Sequence, residues 1–198
     1  MAADYATLIQ LKNRPRITDT DDDDLLNRAL AAASRGIDNR CGRRFDLDAS
    51  ATAKMFNPRD RVVRHDDGDL FLLPDIGSAT GLVVEVGRDS SWTTISASNY
   101  ETYPDNALAD SWPIEGLLLL NWPISSARTR LRVTARWGWP TVPDAIVEAT
   151  LIQASRLFAR KDSPEGVMGS ADWGGIRVSR VDPDVEALIQ PYAKPGFA

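Results

Sequence analysis

Arg130-Leu131-Arg132-Val133-Thr134-Ala135-Arg136-Trp137-Gly138-Trp139-Pro140 carries the decisive pattern. From Arg130 to Arg136, Leu131, Val133 and Ala135 alternate with Arg130, Arg132, Thr134 and Arg136. A period of two marks a strand with one face in a core and one in water. Within a few residues the period changes. Beyond Val142-Pro143, the residues Val147, Leu151, Ala154 and Phe158 fall on one helical face, widened by Ile146 and Ile152. Pro143 suits the first position of that helix. Arg160 and Lys161 suit its last turn, and Pro164 lies just past it. A strand delivered straight into a long helix excludes both an all-α and an all-β chain.

Upstream of this junction the signals are strand-like as far back as Phe45. Lys54–Phe56, Arg61–Arg64, Leu70–Leu73, Leu82–Val86, Tyr100–Tyr103 and Leu117–Leu120 are short candidates, and Asp66-Asp67-Gly68 reads as a turn. Spacing of this kind predicts an antiparallel β-sandwich or barrel-like region. Further back the helical period returns. Leu26, Ala29, Leu30, Ala33, Ile37 and Cys41 share one face of a predicted helix over Asp21–Cys41, with Gly42 placed as its C-terminal cap. A shorter helix containing Tyr5, Leu8, Ile9 and Leu11, capped by Asp4, ends at Pro15.

After Pro164 the chain loosens through Gly166, Gly169, Gly174 and Gly175. Ile176–Val181 reads as extended, and Asp182-Pro183 opens a last short helix with Val185, Leu188, Ile189 and Tyr192. The predicted fold is α+β. The N- and C-terminal segments form a small helical bundle, and an antiparallel β-region is inserted between them. The expected divisions are 1–45 for the N-terminal helices, 46–140 for the β-region, 141–165 for the long helix and 166–198 for an extended arm.

Composition narrows the function. The single cysteine cannot form an internal disulfide. The longest aliphatic run, Leu117–Leu120, is far short of a membrane span. Met1–Gln10 lacks the basic and apolar regions of a signal peptide. A formal charge of −5, with arginines interleaved among acids, lacks the basic footprint of a tight DNA binder. Catalytic patterns are sparse. His65 is the one histidine, and no nucleophile motif accompanies it. It reads as a strand-end residue, and Cys41 reads as a core thiol. Asp19-x-Asp21-x-Asp23 begins like a calcium loop, but Asp24 and Leu30 stand where glycine and glutamate are needed. Acids there serve a helix N-terminus better. Asp75 and Glu85 are the pair a metal-dependent nuclease would use, with Gly87 where a lysine is wanted. That is the enzymatic alternative. No cofactor or metal site is expected.

Two tryptophan features remain. Trp137 and Trp139 at the strand–helix junction read as a buried corner that closes the β-region against the helices, with a partner-binding patch as the alternative. Trp173 lies in the glycine-rich arm ahead of Ile176-Arg177-Val178-Ser179-Arg180-Val181, a segment suited either to adding a strand to a neighbour or to packing within its own chain.

An ordered set of motifs then resembles one family. The set is Asp23-Asp24-Leu25-Leu26 opening a helix that ends Cys41-Gly42-Arg43-Arg44-Phe45; Arg136-Trp137-Gly138-Trp139-Pro140 before Val142-Pro143; Arg160-Lys161-Asp162-Ser163-Pro164-Glu165-Gly166; and Arg177-Val178-Ser179-Arg180 with Asp182-Pro183-Asp184-Val185. This resembles the head–tail connector (adaptor) proteins of long-tailed bacteriophages, notably those of phages of actinobacteria. The resemblance implies a non-catalytic virion protein at the head–tail interface, made in the host cytoplasm. It would form a ring, usually twelvefold, beneath the portal. Its partners would be other copies, the portal and a neck or tail-completion protein, with genomic DNA passing through unread and no membrane involved. Portal or neighbour contacts are expected from Trp173, Ile176, Arg177, Val178, Arg180, Val185, Leu188, Ile189 and Tyr192. Asp21, Asp22, Asp23 and Asp24 are expected to face the channel or tail. A different neck or tail-completion protein is the other structural alternative.

Overall fold

The structure is a computed structural model describing residues 4–59, 61–121, 128–162, 167–168, 176–177 and 182–194. The chain divides into two compact units, one from Met1–Arg43 with Val142–Ala198 and one from Arg44–Thr141. The α+β class expected from the sequence is what the chain adopts.

In the helical unit, α1 (Leu8–Asn13) is capped by Thr7 rather than by Asp4. Thr7 Oγ1 accepts from the Gln10 amide at 3.2 Å, and Gln10 Oε1 accepts from the Thr7 amide at 2.8 Å. This reciprocal box needs a Thr and a Gln three apart, which Asp4 lacks. Helix α2 (Asp23–Cys41) ends at Gly42, whose φ of +65° is the left-handed cap conformation. Leu26, Ala29, Leu30, Ala33, Ile37 and Cys41 are all buried, at the spacing read from the sequence. Helix α3 (Asp144–Ala159) packs against α2 and against α4 (Pro183–Ile189). Two neighbours rotate its buried stripe. Ile146, Ala149, Thr150, Leu151 and Ala154 are enclosed, while Val147 and Phe158 are only partly buried at its margin.

The β-unit contains β1 (Thr52–Phe56), β2 (Val62–His65), β3 (Gly68–Arg88), β4 (Ser91–Thr94), β5 (Tyr100–Tyr103), β6 (Ile114–Leu119) and β7 (Arg130–Trp137). All pairings are antiparallel, along the path β1-β7-β3-β6-β5, with β2 and β4 added on β3. Among the described residues β1 and β5 do not pair, so the sheet is open and not a closed barrel. The candidates Leu70–Leu73 and Leu82–Val86 are two parts of the single strand β3. Pro74, Gly77 and Gly81 lie between them, residue types that usually interrupt a strand. The chain instead shifts register between Leu72 and Ile76, Ile76 and Ser78, and Ser78 and Val83. Such irregularities bend a strand without ending it.

The bend makes the core. The first half of β3 lies between β2 and β6, the second between β7 and β4. The Phe56 ring of β1 lies 6.2 Å from the Phe71 ring of early β3, though these segments are not neighbours in the sheet. The sheet therefore folds over itself around Phe71, Ile76, Ile114, Leu117, Leu119, Leu131, Val133 and Ala135. Strand β7 keeps the predicted alternation, with Leu131, Val133, Ala135 and Trp137 buried. Strands β8 (Val167–Met168) and β9 (Ile176–Arg177) form a separate antiparallel pair. No described helix is long and apolar enough to cross a membrane.

Candidate functional site

The residues that chemistry would have used are taken by structural partners. Asp75 is buried, and its Oδ2 accepts from the Trp139 indole N–H at 3.2 Å. Glu85 receives two hydrogen bonds from the Arg132 guanidinium, at 2.7 and 2.6 Å. Those bonds hold the Glu85 carboxyl below the usual carboxylate range. Each carboxylate of the nuclease alternative is thus committed to a neighbour. No group of three or more potential metal ligands occurs among the described residues. Cys41 is buried, and burial pushes its thiol up to about 11. Only the backbone of His65 is described; it pairs opposite Gly68, and its side chain lies outside the described residues.

The tryptophan corner is buried inside the β-unit. Trp137 and Trp139 are 2% and 0% exposed, so neither is a partner patch. Trp137 donates to the Thr52 carbonyl at 2.8 Å. Trp139 meets Trp112 edge-on at 4.6 Å and Phe45 at 5.1 Å. Gly138 between them has a φ of +112°, and a Cβ there would lie 1.8 Å from the Asp46 carbonyl oxygen.

Of the arm residues expected to meet a partner, Val185 and Ile189 are buried within their own chain. With Ile37 and Gln153 they line a pocket of about 190 Å³ between α2, α3 and α4. Asp182 caps α4 through the Asp184 amide at 2.9 Å and pairs with Arg156 at 2.9 Å. Glu186 pairs with Arg40. Their burial holds α4 on the bundle, each side chain contributing about 1.5–3 kcal/mol. Leu188 and Tyr192 are half-buried. Ile176 and Arg177 form β9, with only their backbone described, while Trp173, Val178 and Arg180 lie outside the described residues.

The acidic run divides in two. Asp23 pairs with Lys12 at 2.6 Å, and Asp22 pairs with Lys161. Asp21 and Asp24 are exposed.

One surface was missed by reading along the sequence. Met55, Arg88, Asp89, Trp92, Arg128 and Arg130 line a cleft of about 570 Å³ on the β-unit. Its residues come from β1, the β3–β4 turn and the start of β7, so they gather only when the sheet forms. The Trp92 indole N–H donates to the Asp89 carbonyl at 2.9 Å, and the Arg132 guanidinium stacks 4.3 Å from its ring centre.

Comparison with known proteins places this geometry. Residues 5–65, spanning α1, α2 and the strands through β2, match the phage gp6-like head-tail connector protein family. The resemblance read from the sequence is supported over that stretch. No curated protein matches by sequence. By fold, the chain is similar to a chain in the neck of an empty GTA particle computed with C6 symmetry, with 16% identity and a TM-score of 0.58. That similarity covers 100% of this chain and 95% of the other. A chain in the virion of a native gene transfer agent (GTA) particle is similar with 16% identity and a TM-score of 0.55, over 100% of this chain and 94% of that one. At such identity the likeness is one of fold.

Proposed function

We propose that this chain is a head–tail connector, a structural protein of a phage-type particle that sits in the neck and assembles as a ring beneath the portal. The observation that carries the reading is a coincidence of two findings. The connector-family match falls on α1 and α2, and the fold of the whole chain is similar to that of a neck chain over nearly the full length of both. In this role no catalytic step is assigned. Asp75 and Glu85 stabilise the β-unit through Trp139 and Arg132.

The ring is proposed to be twelvefold, to join the portal to a neck or tail-completion protein and to surround the exit path of the DNA. The net charge of −5 supports passage without capture, since an acidic wall repels phosphates at short range in salt. Portal or neighbour contacts are proposed for the arm, through Trp173, Ile176, Arg177, Val178 and Arg180, with Leu188 and Tyr192 beside them. Val185 and Ile189 serve as the anchor that ties the arm to the bundle. Asp22 and Asp23 have lysine partners, which leaves Asp21 and Asp24 for an outside contact.

The test is to mix the full chain with the portal ring of the same particle and to measure mass and image the product. A stoichiometric ring stacked on the narrow end of the portal is expected. No binding by a folded chain to an intact portal overturns the connector reading in favour of a later neck component. The arm is tested by Trp173→Ala with Arg177→Glu, which keeps α4. Truncation after Lys161 would strip Val185 and Ile189 from the helical unit and confound contact with folding. Normal portal attachment of the double variant removes the arm from the interface.

A further inference from the structure

One half of the bent sheet ends in two matching edges. Early β3 lies between β2 and β6, and β6 lies between β3 and β5, so this half runs β2-β3-β6-β5. Every neighbour is antiparallel, so the outer strands β2 and β5 run in opposite directions. Each is 4 residues long, and among the described residues each pairs with one strand. The hydrogen bonds show which backbone groups face outward. The Leu72 amide donates to the Arg61 carbonyl at 2.8 Å, so by alternation Arg61, Val63 and His65 bond towards β3, and the backbone of Val62 and Arg64 points away from it. The Leu120 amide donates to the Asn99 carbonyl at 3.1 Å, which likewise turns the backbone of Tyr100 and Thr102 away from β6. A row of such groups is a template for another strand.

The side chains of the two edges are complementary. Val62 and Tyr100 pack against the core at its margin and stay half-buried. Val63 and Tyr103 lie on the opposite face of the sheet, 49% and 41% exposed. That face is apolar behind them. Leu70 stands opposite both Val63 and Leu118, and its Cδ1 lies 3.0 Å from where a Cβ on Gly116 would be. The charges of the edges differ in sign. Strand β2 has Arg64, its side chain 92% exposed, with Arg61 directly before the strand. Arg64 reaches Asp69 at 4.0 Å, and the Arg61 guanidinium lies 5.4 Å from the Phe56 ring centre. Strand β5 has the exposed Glu101 and no cation.

We propose that β2 of one copy of this chain adds antiparallel to β5 of the next, so that neighbours share one continuous sheet. This rests on the ring reading and supplies it with a subunit contact. Strands that alternate in direction from β2 to β5 repeat side by side with no reversal, so the contact is heterologous, and contacts of that kind propagate until a ring closes. With Thr102 opposite Val62 and Tyr100 opposite Arg64, outward groups meet outward groups, and each pair exchanges both of its main-chain hydrogen bonds. A slip of one residue would set outward groups against inward ones and mismatch the faces. The same register places Glu101 opposite Val63, on the face that holds Tyr103, and keeps Val62, Thr102 and Tyr100 on the core side. Like edges fit worse, because β2 against β2 brings arginines together and β5 against β5 brings Glu101 towards its own counterpart. The other half of the sheet, β1-β7-β3-β4, alternates in the same way, but β4 has no carboxylate to meet Lys54 of β1.

The experiment uses the full chain assembling with the portal ring of the same particle. Cys41 is the only cysteine and is buried, so introduced thiols report the contact. Glu101→Cys and Val63→Cys each replace an exposed side chain. A directly opposed pair without main-chain hydrogen bonds has its Cα atoms about 4.5 Å apart, within disulfide reach. A mixture of the two variants is expected to give disulfide-linked unlike pairs, and neither variant alone is expected to link to itself. Thr102→Pro removes an amide that β6 does not use. It is expected to leave the near-ultraviolet spectrum of the free chain unchanged and to weaken assembly about tenfold, the loss of one main-chain hydrogen bond. Portal-bound rings of the mixed cysteine variants with no unlike cross-link overturn this contact and leave the ring reading standing. Links within either variant alone do the same, as does a folded Thr102→Pro chain that assembles normally. If Thr102→Pro disturbs the fold, the cross-link decides. Failure of the wild-type chain to assemble on the portal overturns both readings.

Discussion

Gly138 and Gly36 respond to the same substitution in opposite ways. Gly138 has a φ of +112°, and the Asp46 carbonyl occupies the place of its absent side chain. Gly138→Ala is expected to cost about 3 kcal/mol in urea unfolding, from backbone strain and a steric shift together. Gly36 lies inside α2 with nothing within 4 Å of a built Cβ. Gly36→Ala is expected to stabilise the chain by about 0.5–1 kcal/mol, the difference in helix propensity. Cys41 gives a pH test. Its thiol is raised from 9.0 to about 11, chiefly by burial, so folding favours the neutral form. That contribution is complete below pH 9 and is lost as pH rises towards 11. Wild type is expected to lose stability across that interval where Cys41→Ala does not, and its thiol to resist labelling at pH 8 until the chain unfolds. The core nature of Cys41 was legible because the residue falls on the α2 stripe. Asp75 was not, because a carboxylate beside a turn looks the same in sequence whether a metal or a buried indole awaits it.

Among elements, those with one periodic face against one neighbour were legible. Strand β7 has a core on one side and water on the other, and α2 has a single apolar stripe, so each pattern shows plainly. Strand β3 has partners on both edges and carries Pro74, Gly77 and Gly81, so local signals argued for a break that tertiary pairing overrode. Strand β4, Ser91–Thr94, is too short and polar to announce itself. Helix α4 was seen, but its partner was not. Its apolar face suited another subunit equally well until α2 and α3 were found covering it. Ile189→Ala should therefore act within the monomer, costing about 2–4 kcal/mol. Hydrogen exchange is expected to quicken first in α4. Unchanged protection with impaired portal binding would instead place Ile189 at an interface.

The whole molecule is two folding units, and each closes its own core. The β-unit, Arg44–Thr141, contains the Phe71–Leu131 core and the Trp139 corner entirely within itself. Expressed alone, it is expected to give a cooperative melt with the near-ultraviolet signal of packed tryptophans. A molten product would mean that its core depends on the helices. At this scale the α+β architecture was legible from the order of the motifs, helix then strands then helix. The cleft was not. Met55, Arg88, Trp92 and Arg128 are scattered along the sequence, and only the pairing of β1, β3, β4 and β7 gathers them around one cleft.

The β-unit also starts and finishes at one place. Leu47 bridges to Gly138, and the Asp48 amide donates to the Trp137 carbonyl at 2.8 Å. Within the β-unit, tension arriving through Arg44 and Thr141 would meet this clasp first. The β1–β7 bonds behind it lie along the direction of pull, so they would open singly, as a zipper does, and not share the load. Because α2 and α3, which flank the β-unit in sequence, pack together in the helical unit, load reaches the β-unit only after that unit has opened, and a stretching measurement would record the helices giving way first and the zipper-like extension of the β-unit second.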